Sequence, residues 1–226
     1  MGGVKVLEDT QVCVGGLQQG RADRFLQLFQ DNIKREGADV LLEWLKKSDF
    51  FTAPASTKFH GAHEGGLLEH SLNVYDCLIS ELSSVGMGDK YSSETVAIVS
   101  LLHDVCKVGL YVMEPKNQKT YDPEKVASAQ RWEVKHDTLG DFIWETVMAY
   151  KADDQLPYGH GEKSVYIISG FMKLSREEAM AIRWHMGFTD NDFRGGGQSV
   201  GKAFETYPLA VLTHLADMKA TYLLEG

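Results

Sequence analysis

Apolar residues recur at helical spacing along most of this chain. From Arg21 to Ile33, Phe25, Leu26, Leu28, Phe29 and Ile33 follow the 3.6-residue period of a helix with one buried face. Ala38 to Lys47 reads as a second, short helix. Ser48 to Ser56, with Pro54 and small polar residues, breaks the pattern, and Gly65-Gly66 ends the loop. Leu68, Leu72, Tyr75, Ile79 and Leu82 then form the stripe of a strong helix. Ser83 to Ser92 reads as linker. Ser93 is placed to cap a helix running to about Lys107. That segment is apolar all round, which predicts a central, buried helix. Residues 1 to about 16 show no period.

Residues 110 to 160 are the least regular. Asn117-Gln-Lys and Tyr121-Asp-Pro123 are turn signals, and Arg131-Trp-Glu-Val134 suits a short strand, so a small hairpin between helices is expected. Pro157 to Gly161 reads as a turn and Glu162 to Met172 as helix. Ser175-Arg-Glu-Glu178 is a capping box that opens a helix ending near Gly187. Asp190 to Gly201 reads as a glycine-rich loop. Pro208 starts a last helix, Leu209 to Leu224, apolar nearly all round. There is no internal repeat. The pattern predicts an all-α fold with a small irregular or β-hairpin insertion. Residues 1–50 would form a helical lead packed on the main domain, and 51–226 a single structural unit.

The 226 residues suffice to bury a sizeable core, and the net charge of −9 argues against broad electrostatic binding to a nucleic-acid backbone. A local basic pocket for one phosphate remains compatible with that charge. Cys13, Cys77 and Cys106 form neither a CxxC pair nor an even set, so no disulfide framework or zinc ribbon is indicated. Cys77 and Cys106 lie in helical stretches and read as buried free thiols. Without an apolar span or a leader pattern, a cytoplasmic chain is expected.

Charge inside apolar sequence is the informative chemistry. His103-Asp104 lies in the most apolar segment, where an uncompensated carboxylate costs several kcal/mol or more. Other groups able to ligate a metal recur in order: His70 in the first turn of its helix, His160 in a turn before a helix, His185 in the last turn of the Ser175 helix, and Asp217 in the last helix. Neutral imidazoles with carboxylates bind divalent transition metals (Mn, Fe, Co, Ni or Zn, with Mg a further candidate). Six ligands exceed the need of one catalytic ion. They suggest two, with His70, His103, Asp104 and Asp217 on one, His160 and His185 on the other, and Asp104 bridging. Lys107, four residues after His103, is placed to meet a substrate phosphate. Arg183, Arg194 and His60 are further candidates for substrate binding. His136 and His214 read as structural or surface residues, with His214 one turn from Asp217 and able to orient it.

The ordered set His70, His103-Asp104 and Asp217 resembles the defining motif of the HD-domain metal-dependent phosphohydrolases, and His160 and His185 resemble the added ligands of its dinuclear members. Ala53-Pro-Ala-Ser56, His60 and Gly65-Gly-Leu-Leu-Glu-His70 are similar to the HD half of bacterial 3′-to-5′ exoribonucleases. The residues before that motif read as helix, so no OB-fold nucleic-acid domain is expected in them. Tyr158 to Ser164 and Ala181 to Gly187 are similar to stand-alone HD hydrolases of bacteria and phages. The resemblance implies an HD-domain helical bundle and a metal-dependent phosphohydrolase of a small phosphoester, such as a nucleotide. In that role Asp104 and Lys107 would be the catalytic residues. Two other activities fit the same ligand order: exonuclease action on single-stranded nucleic acid, and the chemistry of HD-type di-iron oxygenases, of which myo-inositol oxygenase is one. A catalytically silent nucleotide-binding module is a third alternative.

Overall fold

The computed structural model describes residues 16–189 and 193–225, with side chains for all of these except 193–197. Four helices come first: α1 (Gly16–Asn32), α2 (Ala38–Lys47), α3 (Gly66–Ser84) and α4 (Ser93–Leu101). A 3₁₀ turn at Val105–Lys107 leads into β1 (Tyr111–Thr120), α5 (Pro123–Ser128), β2 (Lys135–Asp137) and β3 (Gly140–Ala152). The chain closes with α6 (His160–Ser169), α7 (Arg176–Arg183), α8 (Phe193–Thr206) and α9 (Pro208–Lys219), then a π-helical turn, Ala220–Leu224. The protein is thus mostly helical with one small sheet. No helix among the described residues is long and apolar enough to cross a membrane.

One apolar core runs through the helices. Phe25 and Phe29 of α1 and Leu41 and Leu45 of α2 are buried in the same cluster as Leu68 and Leu78 of α3, Ile98 of α4 and Leu209 of α9. Of the expected α3 stripe, Leu68, Leu72 and Leu82 are buried and Tyr75 is half-buried on the core, whereas Ile79 is exposed; Leu67, Val74 and Leu78 are buried as well. The helix packs on both α4 and α9, so its buried face is wider than a single stripe. The Ser175–Glu178 capping box is present. Glu178 Oε2 accepts from Ser175 N at 2.8 Å, and Glu178 also takes a two-point ion pair from Arg35. The loop between α1 and α2 is thereby tied to α7.

Several boundaries differ from the periodic pattern. Ser92, not Ser93, caps α4, accepting from Thr95 N at 3.1 Å. Residues 195–197 are helical, inside α8, although their glycines read as loop; residues 190–192 lie outside the described residues. A glycine costs an α-helix about 1 kcal/mol relative to alanine. The packing of Val200, Ala203 and Phe204 against Trp184 and Met180 outweighs that local preference.

The insertion is a three-stranded antiparallel sheet of order β1-β3-β2. β1 pairs with β3 from Tyr111↔Ala152 to Thr120↔Ile143, and β2 pairs from Lys135↔Phe142 to Asp137↔Gly140. Arg131–Val134 is turn rather than strand, and Asn117–Lys119 lies inside β1 rather than in a turn. An exposed sheet needs no alternation of apolar and polar residues, so the period-2 signal is weak. In β3 only Phe142 is buried, against Tyr121.

Candidate metal centre

The segment after α4 is shaped by its terminal histidine. Helix α4 stops at Leu101, so His103-Asp104 is not mid-helix: Leu102 (φ −119°, ψ 0°) and Asp104 (φ −106°, ψ 17°) sit in the bridge region. The last carbonyls of a helix lack intrahelical partners. The His103 imidazole meets one of them, its Nδ1 donating to Ser100 O at 2.7 Å. The end of α7 repeats the device. The helix stops at Arg183, short of the expected Gly187, and His185 Nδ1 donates to Ile182 O at 2.7 Å. A carbonyl can only accept, so both rings carry a hydrogen on Nδ1 and turn Nε2 inward.

Glycines admit the other two histidines. His70 lies in the first turn of α3, where Gly66 packs on the Gly61 carbonyl; a Cβ at Gly66 would collide with it. His160 is the first residue of α6, and the following Gly161 packs against the carbonyls of Ile182 and Arg183. That approach sets His160 beside His185, with ring centroids 5.2 Å apart. Asp217 comes from the last turn of α9. One turn earlier His214 Nδ1 donates to His185 O at 2.6 Å. His214 therefore holds the His185 backbone rather than orienting Asp217.

All six residues converge, and the four imidazoles divide between the two oxygens of Asp104. Around Oδ2, His70 Nε2 lies at 3.4 Å and His103 Nε2 at 3.5 Å. His70 Nε2 is also 3.1 Å from His103 Nε2 and 3.1 Å from Asp217 Oδ1. Around Oδ1, His160 Nε2 lies at 2.7 Å and His185 Nε2 at 3.3 Å. Lys107 Nζ, from the 3₁₀ turn, sits 2.6 Å from Oδ2. His70, His103, Asp104, Lys107, His185 and Asp217 are all buried.

The outward nitrogens are anchored as consistently. Two meet backbone carbonyls, as above. His70 Nδ1 lies 3.1 Å from Glu225 Oε2, and His160 Nδ1 lies 3.5 Å from Cys106 Sγ. In metal sites such outer partners fix the tautomer and orientation of the imidazole.

The charges of the cluster are strongly coupled. Burial disfavours an ionised Asp104, yet Lys107, His103 and His160 hold its carboxyl well below the usual range. Asp217 is likewise held low, against burial, by His70. Burial alone would lower His70, but Asp217 and Glu225 raise it to about 9. His160 is raised, against burial, by Cys106 and Asp104, whereas burial and the neighbouring His103 leave His185 lowered. Lys107 is raised by Asp104 despite burial. Lys107 and the raised His70 and His160 balance the charge of the two carboxylates.

The donor set fits a cation. Donor atoms bound to one ion at about 2.1 Å stand about 3.0–3.4 Å apart for angles from square to tetrahedral. The inward spacings around Asp104 Oδ2 match that range closely. Within the other set, His185 Nε2 is buried 3.3 Å from Asp104 Oδ1 yet makes no hydrogen bond of good geometry. A buried orphan of this kind is costly unless something else takes up its lone pair. Two trios that share Asp104, one with His70 and His103 and the other with Cys106 and His160, each bring ligand atoms within 4.8 Å of one another and could hold a metal ion.

A cavity of about 690 Å³ opens over Asp104, Lys107, His160 and Asp217. His60 lines it, its ring 5.1 Å from that of His70. Tyr111, Met186 and Tyr222 form apolar walls. Arg183 is not brought there. It stacks on Trp184 at 4.0 Å, donates to Glu162 Oε1 at 2.9 Å, and lines a separate cavity between α6, α7 and α8. That second cavity is larger but holds none of the clustered ligands. The Arg194 side chain lies outside the described residues, as does Cys13. Cys106 is buried, but Cys77 only half so.

Glu225, Asn73, Cys106 and Tyr111 belong to the site without having stood out in the sequence. Glu225 could have been sought as the first acid after the apolar run that carries Asp217. Nothing in the sequence distinguishes Asn73. No protein-family model, curated protein or solved structure matches this chain.

Proposed function

We propose that this chain is a metal-dependent phosphohydrolase of the HD-domain type, acting on a small phosphoester such as a nucleotide. The observation that carries the reading is the convergence of four imidazole Nε2 atoms and two carboxylates on a buried point, divided between the oxygens of Asp104. His70, His103, Asp104 and Asp217 would hold one ion. His160, His185 and the other oxygen of Asp104 would hold a second. When bound, divalent ions there supply water of lowered pKa and positive charge for a phosphoryl oxygen.

The remaining steps belong to the chain's own residues. Lys107 faces the cavity while paired with Asp104, so its ammonium can pass from that carboxylate to a phosphoryl oxygen as charge develops there. His60, at the cavity wall, can bond a substrate oxygen. Tyr111, Met186 and Tyr222 exclude water and offer an apolar bed to a nucleoside. The cavity volume suits one small ligand better than a tracked polymer.

The test is turnover of a panel of nucleotides and phosphodiesters with Mn²⁺, Co²⁺, Ni²⁺, Fe²⁺ or Mg²⁺. Phosphate release that disappears in Asp104→Ala supports the reading. Full activity in that variant overturns it. Processive degradation of single-stranded oligonucleotides would favour the exonuclease reading instead, and oxygen consumption with iron would favour an oxygenase.

A further inference from the structure

Three of the four clustered histidines are anchored without a carboxylate, by Ser100 O, Ile182 O and Cys106 Sγ. His70 alone has a carboxylate behind it. Glu225 reaches it through the π-helical turn Ala220–Leu224, whose widened loop is closed by Glu225 N donating to Ala220 O at 3.1 Å. On an uninterrupted α-helix the eight residues from Asp217 to Glu225 would rotate the second carboxylate about 80° away from the first. The π turn takes up part of that rotation, so both carboxylates meet one imidazole, Asp217 on Nε2 and Glu225 on Nδ1. Asn73, one turn along α3 from His70, fixes Glu225 by donating to its Oε1 at 2.8 Å. The Glu225 side chain is 4 % exposed, so little solvent screens it.

We infer that Glu225 is a positioning residue of the metal centre, holding the His70 ring in register with Asp217 and increasing its donor strength toward the ion. This rests on the metal-centre reading above. A carboxylate–imidazole–metal relay makes the imidazole a better donor than a carbonyl can, and loss of such a partner typically lowers metal affinity 10–100-fold. The assignment predicts a selective effect. The ion that shares His70 depends on Glu225, whereas the ion held by His160 and His185 does not.

The experiment is calorimetric titration of the full chain with Mn²⁺, together with the absorption spectrum of bound Co²⁺. It compares wild type, Glu225→Ala, Glu225→Gln and Asn73→Ala, with melting curves to show folding. Expected is a weakening of one ion by about 10–100-fold in Glu225→Ala, with the other ion within about two-fold of wild type. Glu225→Gln, whose amide oxygen still accepts from Nδ1, should recover part of the loss and part of the Co²⁺ spectrum. Asn73→Ala should fall between wild type and Glu225→Ala. Affinities in Glu225→Ala equal to wild type, with an unchanged spectrum, would overturn the assignment and leave the metal centre standing. Equal weakening of both ions, unrescued by glutamine, would also overturn it. A wild-type chain that binds no ion would overturn both.

Discussion

His103 and His185 stand at the ends of different helices, α4 and α7, yet the same bond holds both. Each Nδ1 donates over 2.7 Å to the carbonyl three residues before it. The two rings meet edge to face, 4.8 Å between centroids. The paired helix ends thus aim two Nε2 atoms at one carboxylate. His185 Nε2 lies 3.3 Å from Asp104 Oδ1 but makes no hydrogen bond of good geometry. His185→Phe removes that orphan along with one hydrogen bond, and these effects oppose each other. The ion-free melting temperature should therefore change by the equivalent of about 1 kcal/mol or less. Metal affinity of the same variant should fall more than about 100-fold, beyond what loss of an outer partner costs. A large loss of ion-free stability with unaltered metal binding would show His185 to be structural.

Lys107 and Asp104 form a buried pair at 2.6 Å, and removing one partner of such a pair costs about 3–5 kcal/mol. Lys107→Met should melt at lower temperature without metal, and added Mn²⁺ should restore most of the loss by neutralising Asp104. Turnover with metal bound should still fall about 100-fold or more, the scale expected for a lost charge-stabilising donor. Melting curves with and without Mn²⁺, and steady-state kinetics, read the two effects separately.

The pH dependence of stability should reverse when metal is added. His70 is raised from 6.5 to about 9 in the fold. A raised histidine contributes stability that is complete below its unfolded value and lost as pH rises through its folded one. Ion-free protein should therefore lose stability between pH 6.5 and 9, with His160 acting in the same sense. His185, lowered by burial, acts in the opposite sense below pH 6.5. An ion requires deprotonated His70, so metal affinity should rise over that same interval. Thermal melts in chelator and in Mn²⁺ across pH 6–9 check both slopes.

Gly161 lets α6 meet the end of α7, because a side chain there would run into the Arg183 carbonyl. Gly161→Val should push His160 away from His185. Binding of one of the two ions should then weaken, while the ion shared by His70, His103 and Asp217 is retained. Mn²⁺ stoichiometry by equilibrium dialysis distinguishes this from a general loss of fold.

Much of the helical frame was legible from periodicity. α2 begins and ends where its apolar pattern does, and the capping box at Ser175 is present with both of its bonds. Helix ends near the site were not legible. His103 and His185 read as helical because their neighbours are apolar. Their rings instead bond carbonyls three residues back at the helix ends, and the Nε2 atoms so aimed meet residues far away in the chain. The order His70, His103-Asp104, His160, His185, Asp217 identified the cluster because charge amid apolar residues demands compensation. Glu225 was hidden because its link to His70 depends on a π turn, for which the sequence carries no simple signal. Arg183 misled by adjacency: it neighbours His185 in sequence, but the end of α7 turns it toward Trp184 and Glu162.

The most direct measurement is a crystal of the wild-type chain grown with Mn²⁺ and recorded at a wavelength where manganese scatters anomalously. The metal-centre reading predicts two anomalous peaks about 3.5–4 Å apart, one beside each oxygen of Asp104. The first should contact His70, His103 and Asp217, and the second His160 and His185. A map with no peak between Asp104 and Asp217, at saturating Mn²⁺, would contradict it.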